Sequence, residues 1–327
     1  MRKWLKRLAF ACAFWIVLSF VTFAVSAQIQ SDKLSGDVAA ILGAGPFMFA
    51  SPQTILVIGT DARPPNTHEP GQQSSLRCWE QEASGQSPHG GCATHGADTL
   101  MLIRAGGGVF RKLSMSYDDL ATIPGYGEMK LDASYSLGGA KLTVETVEGF
   151  LHVHVDHVAI VDFLGFENFI NAIGGVNVNV PERVCSEISG GYRNGGVTLN
   201  LSKGDHTLNG VEALAYARTR VNSCDPAYDD VNRGVAQQGV INAIKDRLTE
   251  PLRLPYNFIM GPIIGWDAPQ AFVSDMGFFS MPQLVFSAAI GGGSGPNVLR
   301  PAEVGIYGGL VISESERQRA VRQLLDG

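Results

Sequence analysis

Leu214 to Gln238 reads LAYARTRVNSCDPAYDDVNRGVAQQ. An apolar helical run closes on Arg218 and Arg220, a loop with Cys224 and Pro226 follows, and Asp230, Arg233, Gln237 and Gln238 open a second helical run. Two arginines one residue apart, with a third close behind, suit a multiply charged anion, because each guanidinium offers a planar fork of donors to phosphate oxygens. Extended backbone would set Arg218 and Arg220 on one face, whereas a helix would turn them about 200° apart. The plainer alternative is a solvated pair at a helix C-terminus, followed by an N-terminal aspartate with a surface ion pair from Asp230 to Arg233. Both readings stay open on residue types alone.

Working outward, short β-rich runs alternate with helical ones. Thr54–Gly59, Asp98–Arg104, Arg111–Ser116, Val158–Phe163 and Val176–Val180 read as strands, with a hairpin turn at Gly106-Gly107-Gly108. Gly138–Leu151, Leu164–Ile173, Asn209–Ala217 and Asp230–Leu248 read as helices, the last the longest, and Ser313 to Glu316 is a capping box opening a final helix. This alternation predicts an α/β fold, a mixed central sheet flanked by helices in layers. Residues 64–96 are a polar surface insertion, 28–50 a linker, and 251–300 a Gly/Pro-rich stretch with apolar pieces. The expected organisation is a tail at 1–7, an anchor at 8–27, a catalytic domain over 51–250 and an extension over 251–327 packing on that domain.

Arg2, Lys3, Lys6 and Arg7 precede the uncharged run Leu8–Val25, LAFACAFWIVLSFVTFAV. That length and flank predict a retained single-pass membrane anchor with the C-terminal domain extracytoplasmic; a cleaved signal peptide ending at Val25-Ser26-Ala27 is the alternative. Beyond residue 27 the chain holds 21 of its 25 Lys/Arg and all 31 Asp/Glu, so this part carries a net charge of −10. An acidic surface argues against nucleic acid as a partner, which needs a basic field. Outside the apolar run there are four cysteines, an even number suited to an oxidising compartment. Cys78 and Cys92 bracket the polar insertion and form the natural pair, which leaves Cys185 with Cys224.

Asp61 and Asp98 stand at the ends of two expected strands, where paired carboxylates could hold Mg2+ or Mn2+ beside phosphate oxygens; the plainer alternative is a turn former and a strand-edge charge. His152, His154 and His157 read as a strand entrance rather than a metal site, since His157 alternates away from the other two. The chain has no Walker loop, dinucleotide-binding GxGxxG, GxSxG elbow or HExxH.

The runs ILVIGTDAR, ADTLMLI, SMSYDDLATIPGYGEMKLDASYS, VDHVAIVDFLGFENFINAIGGVNVNVP and LNGVEALAYARTR with DDVNRGVAQQ, from residue 54 to 250, resemble the LytR-CpsA-Psr family of membrane-anchored cell-envelope phosphotransferases, in order and behind one anchor. The cysteine pairs and C-terminal extension are similar to actinobacterial members. The resemblance implies a layered fold enclosing an apolar polyprenyl pocket. It also implies magnesium-assisted transfer of a glycopolymer from a polyprenyl diphosphate carrier onto peptidoglycan. Carried over by position, Asp61 and Asp98 match metal ligands, Arg218 and Arg220 the phosphate-binding pair, and Asp230 and Arg233 the acid–arginine pair. Asp118 matches the aspartate of a Pro-Arg-Asp turn and Lys130 the lysine of the family's K-x-N/D-A-x-Y run; Asp118 or Asp61 would orient or deprotonate the acceptor hydroxyl. Three family arginines are replaced, by Gly96, Tyr117 and Ala236, and a single preorganised donor is worth about 3–4 kcal/mol at a transition state. Arg63, Lys130 or a residue of the insertion are the candidate substitutes, with Gln237 continuing the Arg233 face. Two other functions stay open: a non-catalytic binder or scaffold for polyprenyl-linked intermediates, and a polyprenyl diphosphate hydrolase.

Overall fold

The computed structural model describes residues 2–34, 36–42, 47–60, 97–293, 295–305 and 308–326. Its helices are α1 (Arg2–Ser31), α2 (Gly36–Ala39), α3 (Leu131–Leu151), α4 (Phe163–Ala172), α5 (Gly210–Ala217), α6 (Asp230–Thr249), α7 (Leu254–Ile259), α8 (Gly261–Gln270), α9 (Ser280–Ile290) and α10 (Glu314–Leu325). The central strands are β1 (Gln53–Thr60), β2 (Ala97–Gly106) and β3 (Val109–Met115). A small hairpin follows, β4 (Leu120–Ile123) with β5 (Gly127–Lys130), then β6 (His157–Val161). Two further ribbons are built from β7 (Val176–Val180), β8 (Val184–Ile188), β9 (Val197–Leu201) and β10 (Gly204–Leu208). The chain ends with β11 (Phe272–Ser274), β12 (Glu303–Val304) and β13 (Leu310–Val311).

Continuous apolar strands dictate the layering. Leu56 and Ile58 of β1, Leu100 and Leu102 of β2, and Leu113 and Met115 of β3 face a core closed by α3 and α10. The alternate residues Ile55, Val57, Met101, Ile103 and Phe110 face a second core shared with Met276 and Met281. With side chains alternating between faces, a sheet buried on both sides needs no polar register, as these strands show. The order is β11-β6-β1-β2-β3, with β1 and β6 parallel and the other pairs antiparallel. The mixed sheet and flanking helices are those expected. A third core lies under α4, α5, α6 and the β7–β10 and β8–β9 ribbons.

Several boundaries differ from the sequence reading. α3 begins at Leu131, about two turns before Gly138, because Gly138 and Gly139 kink the helix without ending it; Gly139 sits at φ 62°. At 21 residues α3 exceeds the 20 of α6, and α1 runs to 30, so α6 is not the longest helix. The Gly/Pro-rich stretch after residue 250 is largely helical: Pro255 and Pro262 fall in the first turns of α7 and α8, where a missing N–H costs nothing, and Pro269 lies inside α8 one residue before its end. It also supplies β11, the edge strand of the central sheet. His157 is buried, bonded to Gln53 Oε1 at 2.9 Å and to Asp275 Oδ2 at 2.5 Å, so it staples β6 to the chain after β11. Cys185 and Cys224 form a disulfide with Cα atoms 5.4 Å apart; Cys78 and Cys92 lie outside the described residues. α1 is long and apolar enough to cross a membrane and fits a single-pass anchor.

Candidate functional site

The site begins where β3 ends. Ser116-Tyr117-Asp118-Asp119 turns the chain away from the sheet, and the turn is held by its own side chains. Asp119 Oδ2 accepts from the Ser116 N–H at 3.0 Å, and Ser116 Oγ accepts from the Asp118 N–H at 3.1 Å. Carbonyls of Asp119 and Tyr117 then accept the first N–H groups of α3, those of Leu131 and Asp132. Lys130, at the N-cap of α3, closes an ion pair on Asp118 at 2.7 Å.

α6 supplies the second wall. Its start is set by a capping box in which Asp229 accepts from Asn232 N–H and the Asn232 side chain answers to Asp229 N–H. That fixes Asp230 and Arg233 one turn apart at 2.8 Å, and Ser116 Oγ donates to Asp230 Oδ2 at 3.0 Å. Arg233 is 3% exposed, and its Nη1 has no hydrogen-bond partner among the described residues. A buried guanidinium with a donor to spare invites an anion.

Tyr117 joins the two walls. The guanidinium carbons of Arg220 and Arg233 lie 4.1 and 4.4 Å from its ring centroid, which keeps them within about 8.5 Å of each other. Burial raises the Tyr117 phenol above its ordinary value, partly countered by the two guanidiniums. Where the sequence comparison registers a lost arginine, the fold has a ring that holds two others.

Arg218 takes a different course. Asn209 and Glu212 form a capping box that starts α5 at Gly210, and the helix runs out with Arg218 as its C-cap at φ −97° and ψ 0°. Its N–H donates to Leu214 O at 3.0 Å, so the backbone is helical here and the extended geometry considered for Arg218 and Arg220 is absent. The Arg218 guanidinium lies 4.6 Å from the Phe163 ring at the start of α4, beside Glu167, and Arg220 lies over Tyr117. The two arginines therefore turn to different partners, Arg218 to α4 and Arg220 to Tyr117.

Gln237 draws the remaining elements in. Its Nε2 donates to Thr99 Oγ1 at 2.9 Å and to Ala217 O at 3.2 Å, the residues next to Asp98 and Arg218. Asp61, Arg63 and Gly96 lie outside the described residues, as does the side chain of Asp98; Ala236 is buried in the core beneath α6. The strand register pairs Thr60, at the end of β1, with Ala97, at the start of β2 and one residue before Asp98. Among the described residues no group of three His, Cys, Asp or Glu could hold a metal.

Sequence reasoning missed two residues. Asp119 is fully buried and burial pushes its carboxyl well above the usual range, with Asp230 and Asp118 adding to the rise against the Ser116 N–H and Arg233. Phe163 was read only as a strand residue; an aromatic just ahead of a helix, within reach of an arginine cluster, was the available signal. A cavity of about 100 Å³ opens beside Ser116, Asp229, Asp230, Leu299 and Leu310. Ligand pockets typically hold roughly 300–1,000 Å³, so this one is too small for a prenyl chain.

A model of the LytR_cpsA_psr family matches residues 24–261. Over 138 residues the chain is 39% identical to the polyisoprenyl-teichoic acid–peptidoglycan teichoic acid transferase TagT of Bacillus subtilis (strain 168), covering 42% of this chain and 40% of that protein. TagV of the same organism, a transferase of the same description, is 40% identical over 124 residues, or 37% of this chain and 29% of TagV. The chain thus matches well under half the length of these curated relatives. A solved structure of YwtF (TagT), with bound octaprenyl pyrophosphate lipid, superposes at a TM-score of 0.58 and 22% identity, covering 87% of this chain and 93% of that one. That likeness is one of fold.

Proposed function

We propose, from the premise that the chain belongs to the LytR-CpsA-Psr family, that it is a phosphotransferase moving a glycopolymer from a polyprenyl diphosphate carrier onto peptidoglycan. The observation that carries this reading is the convergence of Arg220 and Arg233 on Tyr117, with Gln237 bonded beside Asp98 and Arg218. Such a cluster can take the two phosphates of a carrier head group as bidentate partners. We place the prenyl tail among the apolar residues of α4 and α6 and the head group at the arginines.

The chemistry asked of the protein is positioning and charge compensation. Arg218, Arg220 and Arg233 hold the diphosphate oxygens, and Tyr117 keeps two of those guanidiniums in place. Asp118, steadied by Lys130 and Ser116, takes the proton of the acceptor hydroxyl. The hydroxyl oxygen bonds to the phosphorus bearing the glycopolymer, the P–O–P bond breaks, and polyprenyl monophosphate leaves. Magnesium, held by Asp61 and Asp98, would neutralise charge on the phosphate oxygens. Anchoring by α1 with the catalytic domain extracytoplasmic sets the reaction at the membrane surface.

The test is a transfer assay with the purified full chain, a polyprenyl diphosphate-linked glycan, magnesium and peptidoglycan. Glycan attached to peptidoglycan through a phosphodiester, with release of polyprenyl monophosphate, is the expected result. Release without attachment, whatever the acceptor supplied, would make the protein a hydrolase; tight binding with no release would make it a carrier-binding protein.

A further inference from the structure

We infer that α7, α8 and α9 form a second membrane-contacting surface, lodged in the outer leaflet beside α1. The inference rests on the reading of Leu8–Val25 as a membrane span. Two hydrogen bonds fasten the helices to α1: Trp15 Nε1 donates to Phe258 O at 2.8 Å, and Ser26 Oγ donates to Trp266 O at 2.7 Å. Between those points the backbones close on small residues. A Cβ on Gly265 would meet Ser19 O at 2.5 Å, and one on Gly261 would meet Ser19 Oγ at 2.5 Å. Close helix packing through glycine and serine is how helices associate within lipid.

Depth follows from the fastening. Trp15 stands ten residues before Val25, or about 15 Å at 1.5 Å per helical residue, so whatever is bonded to it is carried below the outer face of the bilayer. The chain there is composed accordingly. From Leu254 to Leu299 it has no Lys or Arg and only two acids, Asp267 and Asp275, the second turned inward onto His157. The outward faces carry large apolar side chains: Ile259 is 65% exposed, Ile263 51%, Phe279 77% and Phe286 52%. The aromatic contacts are continuous with the anchor, since Phe278 packs edge-on against Phe20 of α1. A contiguous apolar face of this kind on a water-soluble surface would be a liability; beside a membrane span it belongs in lipid.

The experiment uses the full chain with Cys12→Ala in lipid nanodiscs, adding one cysteine at a time: Ile259→Cys, Ile263→Cys, Phe279→Cys or Phe286→Cys. Tyr192→Cys, 82% exposed on the far ribbon, reports water, and Val17→Cys reports the span. A membrane-impermeant maleimide should label the four test positions at least roughly tenfold more slowly than Tyr192→Cys, because the bilayer core excludes water. An environment-sensitive fluorophore placed there by a permeant reagent should be quenched by brominated lipids. Labelling at the Tyr192→Cys rate while Val17→Cys stays protected would overturn the inference and leave the anchor standing. Labelling at Val17→Cys as well would remove the anchor and the inference together. Protection without lipid quenching, in particles holding two copies, would assign the face to a second chain and overturn the inference too.

Discussion

Tyr117 stands where the family resemblance leads one to expect arginine, and its ring carries Arg220 and Arg233. Each cation–ring contact is worth about 0.5–2 kcal/mol depending on desolvation. Replacing Tyr117 by Ala should therefore weaken diphosphate binding by about 1–2 kcal/mol, roughly five- to thirtyfold, through loosened guanidiniums. Tyr117→Phe keeps the ring and should bind as the wild type does; equal losses in both variants, read by lipid titration, would show that the hydroxyl and not the stack matters. Asp119 makes a separate prediction. Burial raises its folded value above the unfolded one near 3.8, so its contribution to stability is complete below that pH. The contribution is lost as pH rises from there through the folded value. Asp119→Asn, which can still accept from the Ser116 N–H, should thus gain on the wild type in thermal midpoint as pH is raised from 4 to 8. A constant difference across that range would contradict the assignment.

At the scale of elements, the loop between Arg220 and α6 is held by Cys185–Cys224, which spans 39 residues and ties β8 to the chain that presents the arginines. Closing a loop of that length restricts the unfolded chain by about 3–4 kcal/mol at 25 °C. Reduction, or the double change to Ser, should lower stability by about that much and slow turnover by freeing Arg220; a reduced protein with unchanged midpoint and rate would refute the link. The pairing was legible from cysteine parity and the position of the insertion, as were the strands of the sheet, whose apolar runs have no other home. What escaped the sequence depends on contacts distant along the chain. Arg218 was legible as a site candidate, yet its helical backbone follows from a capping box nine residues upstream that sets where α5 starts and ends. Tyr117 was legible as a departure, but its stacking role needs α6 and the 220 loop to arrive from over 100 residues away. The helices after residue 250 were hidden because their prolines were read as breakers, when Pro255 and Pro262 lie at helix starts and Pro269 close to a helix end.

For the whole molecule, the proposed function joins a membrane-spanning α1 to the arginine cluster at the end of the central sheet. Under the proposed function the carrier lipid is confined to the bilayer, so the site would have to be held at the bilayer's surface, a task suited to the N-terminal helix and the apolar face of α7–α9. Residues far from the head group should therefore affect turnover of membrane-borne carrier more than of a short-chain, water-soluble one. Ile259→Glu with Phe279→Glu should lower the first several-fold and spare the second, and equal losses on both substrates would argue for misfolding instead. The central claim is that the arginines grip a diphosphate, and equilibrium binding to the full chain tests it most directly. Polyprenyl diphosphate and polyprenyl monophosphate should be titrated into wild type, Arg218→Ala, Arg220→Ala and Arg233→Ala, each with folding verified. The account predicts that the wild type prefers the diphosphate and that each variant loses at least about tenfold in diphosphate affinity, the loss expected for a charge-assisted bidentate contact. Diphosphate affinity unchanged in all three variants, or no preference over the monophosphate in the wild type, would contradict it.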